Sequence, residues 1–593
     1  MIDKKYQWDL SFIYKDEASF DADLERIKAI AKELPSYEGQ LSDEEKLASF
    51  LRLEKEAELI LNRLYSYAGG IADLDRRKVE SGAREAKVES ALQDLIRASS
   101  FADPEYLKLG KEKIESFLKS HPEFQEFDFS FVKLFDQASH VLSGDKEALL
   151  ANFGPLSSVG GDLYSNLSVS DYKAGKCTLS DGREVSVNVS NWTTLMRTLD
   201  KAEDRQLVFE TLYRYFDDRK NSYAAIYKAG LDAQLASMRS RGYSSILESH
   251  LDGNKIPTSV YLSLVKAAHE GSAPLKEYYE VRRKALGLTK HRSYDRFLAL
   301  AKTDKKLDYE EARELFYKSI ERFDSDFQGK AHQATEYGKV DVYPGEGKRS
   351  GAYSSGGGGI LPHILLNFQG TLEDAFTLAH EAGHSTHTLF SMEEQPIMKQ
   401  NYTIFVAEIA STFNEHNLLD YLLKSGTLSK EDKIALLQKE LDEIAATFYR
   451  QTLFAEYELE ASRLEEKGEP INYEVLSGIM VRLYKDYYGI DITEEVYKPL
   501  VWCYIPHLYY TPFYVYQYAT SFATSLELYR RVNEGVEGAF ERYKGLLKSG
   551  GSAYPIEQVK AAGVDLTSEE PFLAVVRRMD HLVGELKKLL GQE

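Results

Sequence analysis

Thr371-Leu-Glu-Asp-Ala-Phe-Thr-Leu-Ala-His380-Glu381-Ala-Gly-His384-Ser-Thr-His387 is the stretch from which the chain is best read. Thr371 is a residue able to cap the orphan amides of a helix, and the residues after it predict that helix. Each residue advances about 100° around the axis, so His380 and His384, four apart, differ by about 40° and present both imidazoles to one space. Neutral imidazole is a zinc donor at about 2.0–2.1 Å, and H-E-x-x-H on a helix fixes two corners of a tetrahedron. Glu381, on the flanking face, can hold a water and take its proton. Zinc lowers the pKa of a bound water toward about 7 and polarises a carbonyl, so the pattern suits hydrolysis of a peptide bond.

Two histidines are not a complete site. The extended pattern with a glycine three residues and a histidine six residues after His384 is excluded, because His387 and Phe390 stand there. An acidic third ligand is then expected. Beyond a break at Pro396, the predicted helix Phe405-Val-Ala-Glu408-Ile-Ala-Ser-Thr-Phe-Asn-Glu415 carries two carboxylates seven apart on one face, and either could complete a His, His, Glu site. His387, one turn beyond His384, is either a spare ligand or a hydrogen-bonded helix histidine.

Upstream, Lys339-Val-Asp-Val-Tyr, the glycine-rich loop 345–359 and the apolar run 360–368 read as two short strands around a loop. Pro362 is tolerated on an edge strand, so the run 360–368 is expected at a sheet edge, where an extended peptide could add by β-augmentation. Ser354-Ser-Gly-Gly-Gly-Gly359 suits either a close backbone approach to substrate or a plain surface loop. Gly347-Lys348 is no phosphate loop, since G-x-x-x-x-G-K-[ST] fails at Val342 and Arg349.

Most of the remaining chain has helical periodicity. Leu47, Phe50, Leu51 and Leu53, then Ile60, Leu61, Leu64 and Tyr65, mark amphipathic helices between about 16 and 96, one of them beginning at Ser42 with Glu45 closing a capping box. From about 142 to 191 the texture turns to Gly, Ser and alternation, with Asp181-Gly182 at the turn of a β-hairpin. Helical periodicity resumes at Trp192, runs with breaks near Gly253–Pro257 and Gly287 to about Ser325, and returns from Thr371 to the C-terminus with further breaks at Gly and Pro; no repeat period appears. The fold class expected is mainly α, with a small β element near the zinc helix. With 593 residues, more than one packing unit is expected. The divisions drawn are a helical N-terminal region (1–110), a small mixed, β-containing domain (111–195) and a catalytic domain (196–593).

Lys and Arg number 74 against 94 Asp and Glu, and a net charge of -20 argues against nucleic acid or an anionic membrane surface as partner. No apolar run approaches the roughly 20 residues that span a bilayer, and MIDKKYQWDL has no apolar stretch behind its lysines, so no membrane anchor or export is expected. Cys177 and Cys503, far apart in sequence, suit a reducing compartment, so a cytoplasmic protein is expected.

His380-Glu-Ala-Gly-His384-Ser-Thr-His387, Phe405-Val-Ala-Glu408 and Pro506-His507-Leu-Tyr-Tyr-Thr-Pro-Phe-Tyr514-Val-Tyr-Gln-Tyr518 together resemble the thimet oligopeptidase family of zinc peptidases, in its oligoendopeptidase F subgroup. Trp8-Asp9-Leu10 and Arg239-Ser-Arg241-Gly242-Tyr243 are similar to that subgroup as well, so the resemblance spans nearly the whole chain. It implies a helical shell around a substrate channel, one Zn²⁺, oligopeptide substrates and cleavage of internal bonds. The 28 residues from His380 to Glu408 are similar to the family's spacing to its third ligand, which implies Glu408; Glu415 is then left to accept a hydrogen bond from a ligand imidazole or to serve as an ordinary helix carboxylate. The family implies a histidine and tyrosines from the C-terminal stretch as transition-state donors. His507, Tyr514 and Tyr518 are the candidates, able to share a face if the segment is helical, although their spacing departs from the family's by one or two residues; Tyr510 is a further candidate. Two other readings stay open: a zinc carboxypeptidase of related architecture, and a helical peptide-binding scaffold without turnover.

Overall fold

A computed structural model describes residues 3–142, 146, 149–150, 153–303 and 305–592. About 70% of the chain is helical and 4% lies in strands, so the mainly α class is as expected. The chain divides into two compact units, each built from discontinuous segments. The first comprises Met1–Ser139, Lys305–Gly426 and Leu528–Val564; the second comprises His140–Asp304, Thr427–Glu527 and Asp565–Glu593. Among the described residues, no helix is long and apolar enough to cross a membrane.

In the first unit the helices Glu17–Glu33, Glu44–Leu74 and Val79–Ser99 bury Phe20, Ile27, Phe50, Leu51, Leu64 and Val88 in one core. Two expectations here need correcting. The second helix begins at Glu44 and is capped by Asp43, which accepts from the amides of Glu45 and Lys46, so Ser42 lies outside it; a carboxylate at this place satisfies two orphan amides and complements the helix dipole. Tyr65 is 39% exposed and outside the core, its hydroxyl donating to Glu89 at 2.6 Å.

The same unit holds three strands, β3 (Val340–Asp341), β4 (Tyr353–Gly357) and β5 (Ile360–Leu365), in the order β3-β5-β4. The run 360–368 is therefore central and not an edge: β5 pairs parallel with β3 through Val340↔Ile364 and antiparallel with β4 through Tyr353↔Leu365. Pro362 is accommodated because β3 pairs only with Ile364 and Leu365, and because the β4 register slips between Ser355 and Gly357. The sheet's open edge on this side is β4. Trp8 closes the far end, its indole N–H donating to the carbonyl of Ile364 at 2.7 Å, which gives the N-terminal Trp-Asp-Leu stretch a structural task.

In the second unit the expected hairpin forms, β1 (Gly175–Thr178) against β2 (Glu184–Val187), with Gly182 at φ 87° in the turn. The Gly- and Ser-rich stretch before it is helical at Gly154–Ser165, where β texture was expected. Arg241 ends a long helix (Lys220–Arg241) at Gly242, φ 75°, and donates to the carbonyl of His140 at 3.1 Å.

Candidate metal centre and its surroundings

The motif helix, Leu372–Glu394, starts as its sequence predicts. Thr371 accepts from the amide of Asp374 at 3.2 Å and Asp374 accepts in return from the amide of Thr371 at 2.8 Å. Its partner, the helix Ile404–Lys424, carries both candidate carboxylates. The two helices touch backbone to backbone at Gly383: a Cβ there would lie 2.5 Å from the carbonyl oxygen of Ala410 and 2.7 Å from the Cα of Ser411. Buried Asn414 links them again by donating to the carbonyl of Ala379 at 3.1 Å.

This close packing brings three donors together. Oε2 of Glu408 lies 3.4 Å from Nε2 of His380 and 3.4 Å from Nε2 of His384. A tetrahedral ion with arms of about 2.0–2.1 Å needs ligand atoms about 3.3 Å apart, so these atoms stand where two edges of such a tetrahedron would fall. The three ligand atoms all lie within 4.8 Å of one another, and among the described residues no other group of His, Cys, Asp or Glu does so. Ser411 holds the carboxylate by donating to Oε2 of Glu408 at 3.0 Å.

Glu415, the other carboxylate of that face, accepts from Nδ1 of His380 at 2.6 Å. Without an ion, burial opposes charging of His380, but its bonds to Glu408 and Glu415 outweigh that and hold its pKa well above the usual range. For Glu408 burial likewise opposes ionisation, and the two histidines outweigh it, holding the carboxylate far below its ordinary value. A site that keeps a carboxylate ionised between two imidazoles is built for a cation.

Glu381 is 5% exposed, and its Oε2 has no hydrogen-bond partner among the described residues. Burial raises its pKa, with the histidines pulling the other way. A carboxylate so placed is poised to accept a proton. His387 does not join the donors; it is buried and stacked on Tyr402, ring centroids 3.7 Å apart and planes 5° apart, and burial pushes its pKa down to about 3.

In the second unit, His507, Tyr514 and Tyr518 do converge. Their ring centroids are 6.3 Å apart for His507 and Tyr514, 6.3 Å for His507 and Tyr518, and 5.6 Å for Tyr514 and Tyr518. The means differs from the helical face that the spacing suggested. A short helix His507–Tyr510 stops, Phe513 takes a left-handed φ of 56°, and a new helix begins at Tyr516. That break is held by Glu458, whose Oε1 accepts from the amide of Phe513 at 2.7 Å. The other phenols of the stretch pack elsewhere: Tyr509 stacks on Tyr164 at 4.0 Å, Tyr510 meets the same ring edge-on, and Tyr516 meets Tyr261. Burial lowers the His507 pKa first, and the charge of Arg450 adds to it.

Sequence reasoning missed Gly383, Asn414, Tyr402 and Glu458. A glycine inside a strong helical pattern costs about 1 kcal/mol against alanine and was the one available signal, for Gly383.

Residues 195–578 match the profile of Peptidase family M3, and residues 105–173 match that of Oligopeptidase F. The chain is 32% identical over 594 residues to Group B oligopeptidase PepB of Streptococcus agalactiae, covering 100% of this chain and 98% of that one. It is 33% identical over 598 residues to an oligoendopeptidase F homologue of Lactococcus lactis, covering 99% and 98%. The crystal structure of oligoendopeptidase-F from Enterococcus faecium superposes with a TM-score of 0.76 at 26% identity, covering 97% of this chain and 100% of that chain.

Proposed function

The chain belongs to peptidase family M3 and is a metalloendopeptidase, and from that footing we propose that it uses a single zinc ion, held by His380, His384 and Glu408, to cut internal bonds of oligopeptides. The observation that carries the reading is the equal 3.4 Å separation of the Glu408 carboxylate from both imidazole Nε2 atoms. When bound, zinc supplies Lewis acidity, polarising the scissile carbonyl and acidifying water toward a pKa of about 7.

The chain's own groups do the rest. Oε2 of Glu381 takes the proton of the attacking water and returns it to the leaving nitrogen. Glu415, by accepting from Nδ1 of His380, commits that ring to ligation through Nε2. His507, with Tyr514 and Tyr518, donates to the developing oxyanion; the three rings' convergence supports that role, which rests otherwise on the family resemblance. The open edge of β4, tied to the motif helix by the Ser354–Ser385 hydroxyl pair at 2.8 Å, receives the peptide as an added strand, which binds backbone regardless of sequence. The reading assigns the enzyme to the cytoplasm, where its two free cysteines are at home.

The test is mass-spectrometric mapping of cleavage in unstructured peptides of graded length, with chelator and zinc add-back. Internal cuts that stop on chelation, return with zinc and fail on long or folded substrates are expected. Stepwise C-terminal trimming would replace the endopeptidase by a carboxypeptidase, and cleavage indifferent to chelation would overturn the metal assignment.

A further inference from the structure

The first unit holds a cavity of about 270 Å³ between the helices Glu44–Leu74, Val79–Ser99, Ala102–Leu109 and Asp128–Gln137. Most of its wall is apolar, with Leu51, Leu95, Phe127, Phe131 and Leu134 among the lining side chains. A cavity of about 150 Å³ lined by Leu, Ile and Phe takes benzene, so this one has room for a ring with a short arm. Three carboxylates line the same space: Glu54 and Glu58, one turn apart on the first of these helices, and Asp103 on the third. Among the described residues, no Lys, Arg or His lines it.

These acids lack the partners that their neighbours have. Around the same helix, Glu56 accepts from Arg26 at 2.6 Å, Lys55 pairs with Glu126, and Arg63 pairs with Asp23 at 2.7 Å. Glu54 accepts only a long bond, from the hydroxyl of Tyr106 to Oε2 at 3.4 Å, and its Oε1 accepts none among the described residues. Asp103 accepts no hydrogen bond and pairs with no cation among the described residues. It stands one turn before Tyr106 on the same face of its helix, so the Tyr106 contact also carries Asp103 toward Glu54. Burial pushes the Glu54 carboxyl up to about 8, and the charge of Asp103 adds to this against the pull of Tyr106. A carboxyl set in an apolar wall beside a second one is short of a positive charge.

We propose that this cavity binds a protonated primary amine on a small apolar body, with the ammonium at Glu54 and Asp103 and the body against Phe127 and Phe131. The occupant follows from the lining. Carboxylates with free oxygens call for a positive charge, and the apolar walls call for a body that leaves water readily, the aromatic rings also favouring a cation. A bare divalent ion is disfavoured, because it needs several ligand atoms close together. Among the described residues, His380, His384 and Glu408 are the one group of His, Cys, Asp or Glu whose ligand atoms meet within 4.8 Å. An anion would meet three acids and no base. Two sources offer the chemistry required, a free small amine and the N-terminus of a short peptide that begins with an aromatic residue. The four helices around the cavity carry none of the groups assigned to peptide hydrolysis, so the site stands independently of that reading.

The experiment is titration calorimetry on the full-length protein with phenethylamine and with phenethyl alcohol, which has the same body and no charge. The amine is expected to bind about 10–100-fold more tightly than the alcohol, the range for a hydrogen bond to a charged group. At neutral pH the ammonium should displace the proton of Glu54, so the observed heat should vary with the ionisation enthalpy of the buffer. Glu54→Gln should abolish that proton release and bring the amine down to the affinity of the alcohol. Asp103→Asn, at an exposed position, should weaken the amine by a smaller factor, about 2–5-fold, as a partly screened charge contributes. Competition by the tripeptide Phe-Ala-Ala, run on Glu381→Gln so that it is not cut, separates the sources: displacement of the amine identifies a peptide N-terminus, and no displacement identifies a free amine, the site standing in both cases. Alcohol bound as tightly as amine would overturn the proposal, as would the absence of any binding at millimolar amine. Wild-type amine affinity in Glu54→Gln would overturn it too, and should that variant fold poorly, wild-type affinity in Asp103→Asn would do the same. Displacement of the amine by magnesium chloride would overturn the choice of occupant.

Discussion

Nδ1 of His380 lies 2.6 Å from Oε1 of Glu415, and this contact determines which nitrogen of the ring is left for a metal. With Nδ1–H donating to Glu415, Nε2, beside Glu408, is the nitrogen left to a metal. Glu415→Ala removes the constraint but none of the three proposed ligands, so zinc affinity should weaken by about 10–100-fold. Glu408→Ala removes a ligand and should leave no stoichiometric zinc. Competition titrations against a chromogenic chelator measure both, and the reverse order would exchange the two roles.

Glu381→Gln preserves shape and removes the proton acceptor. Metal content should be unchanged while kcat drops by about 10²–10⁴-fold, the usual contribution of a positioned base. Elemental analysis beside peptide-cleavage kinetics reads the two separately, and full activity in this variant would end the general-base assignment.

The His-Glu-x-x-His helix was legible in the sequence because its chemistry and its geometry share one local period, with the cap at Thr371 included. What depended on distant partners was not. Helical geometry could not tell Glu408 from Glu415, because both lie on one helical face; the family spacing implied Glu408, and it is Glu408 that the packing at Gly383 sets against both Nε2 atoms. It placed the run 360–368 at an edge because Pro362 argues for one, yet a two-residue β3 left the proline unopposed in the middle. His507, Tyr514 and Tyr518 converge through a left-handed residue, Phe513, that no helical wheel anticipates.

Gly383→Ala tests whether the two helices are packed as closely as the site requires. The added methyl would meet backbone, which cannot yield as a side-chain tip does, at 2.5 Å. Stability should fall by about 1–3 kcal/mol, as overpacking commonly costs, and zinc affinity should fall with it because Glu408 is carried on the displaced helix. Gly478→Ala is the control: it lies inside the helix Tyr473–Tyr488 with nothing within 4 Å of its Cβ position, so helix propensity alone should stabilise it by about 0.5–1 kcal/mol. Denaturant unfolding of both variants decides, and a Gly383→Ala protein as stable as wild type would refute the close packing.

Glu458 ties the His507–Tyr518 break to pH. It is 2% exposed, its Oε1 accepts from the amide of Phe513 and its Oε2 has no partner among the described residues. Burial pushes its pKa up to about 8, with the Phe513 amide pulling the other way. An unfolded glutamate titrates near 4.3, so between about pH 4.3 and 8 the native chain holds a proton that the unfolded chain has released. Stability must then decrease across that window as pH rises, the opposite of what a salt-bridged carboxylate gives. Glu458→Gln keeps an oxygen for the Phe513 amide and removes the titration. Its unfolding midpoint should therefore fall less steeply than that of wild type from pH 5 to 8, as followed by circular dichroism. Parallel curves would mean that Glu458 is already ionised in the native state, and the break at Phe513 would then need another explanation.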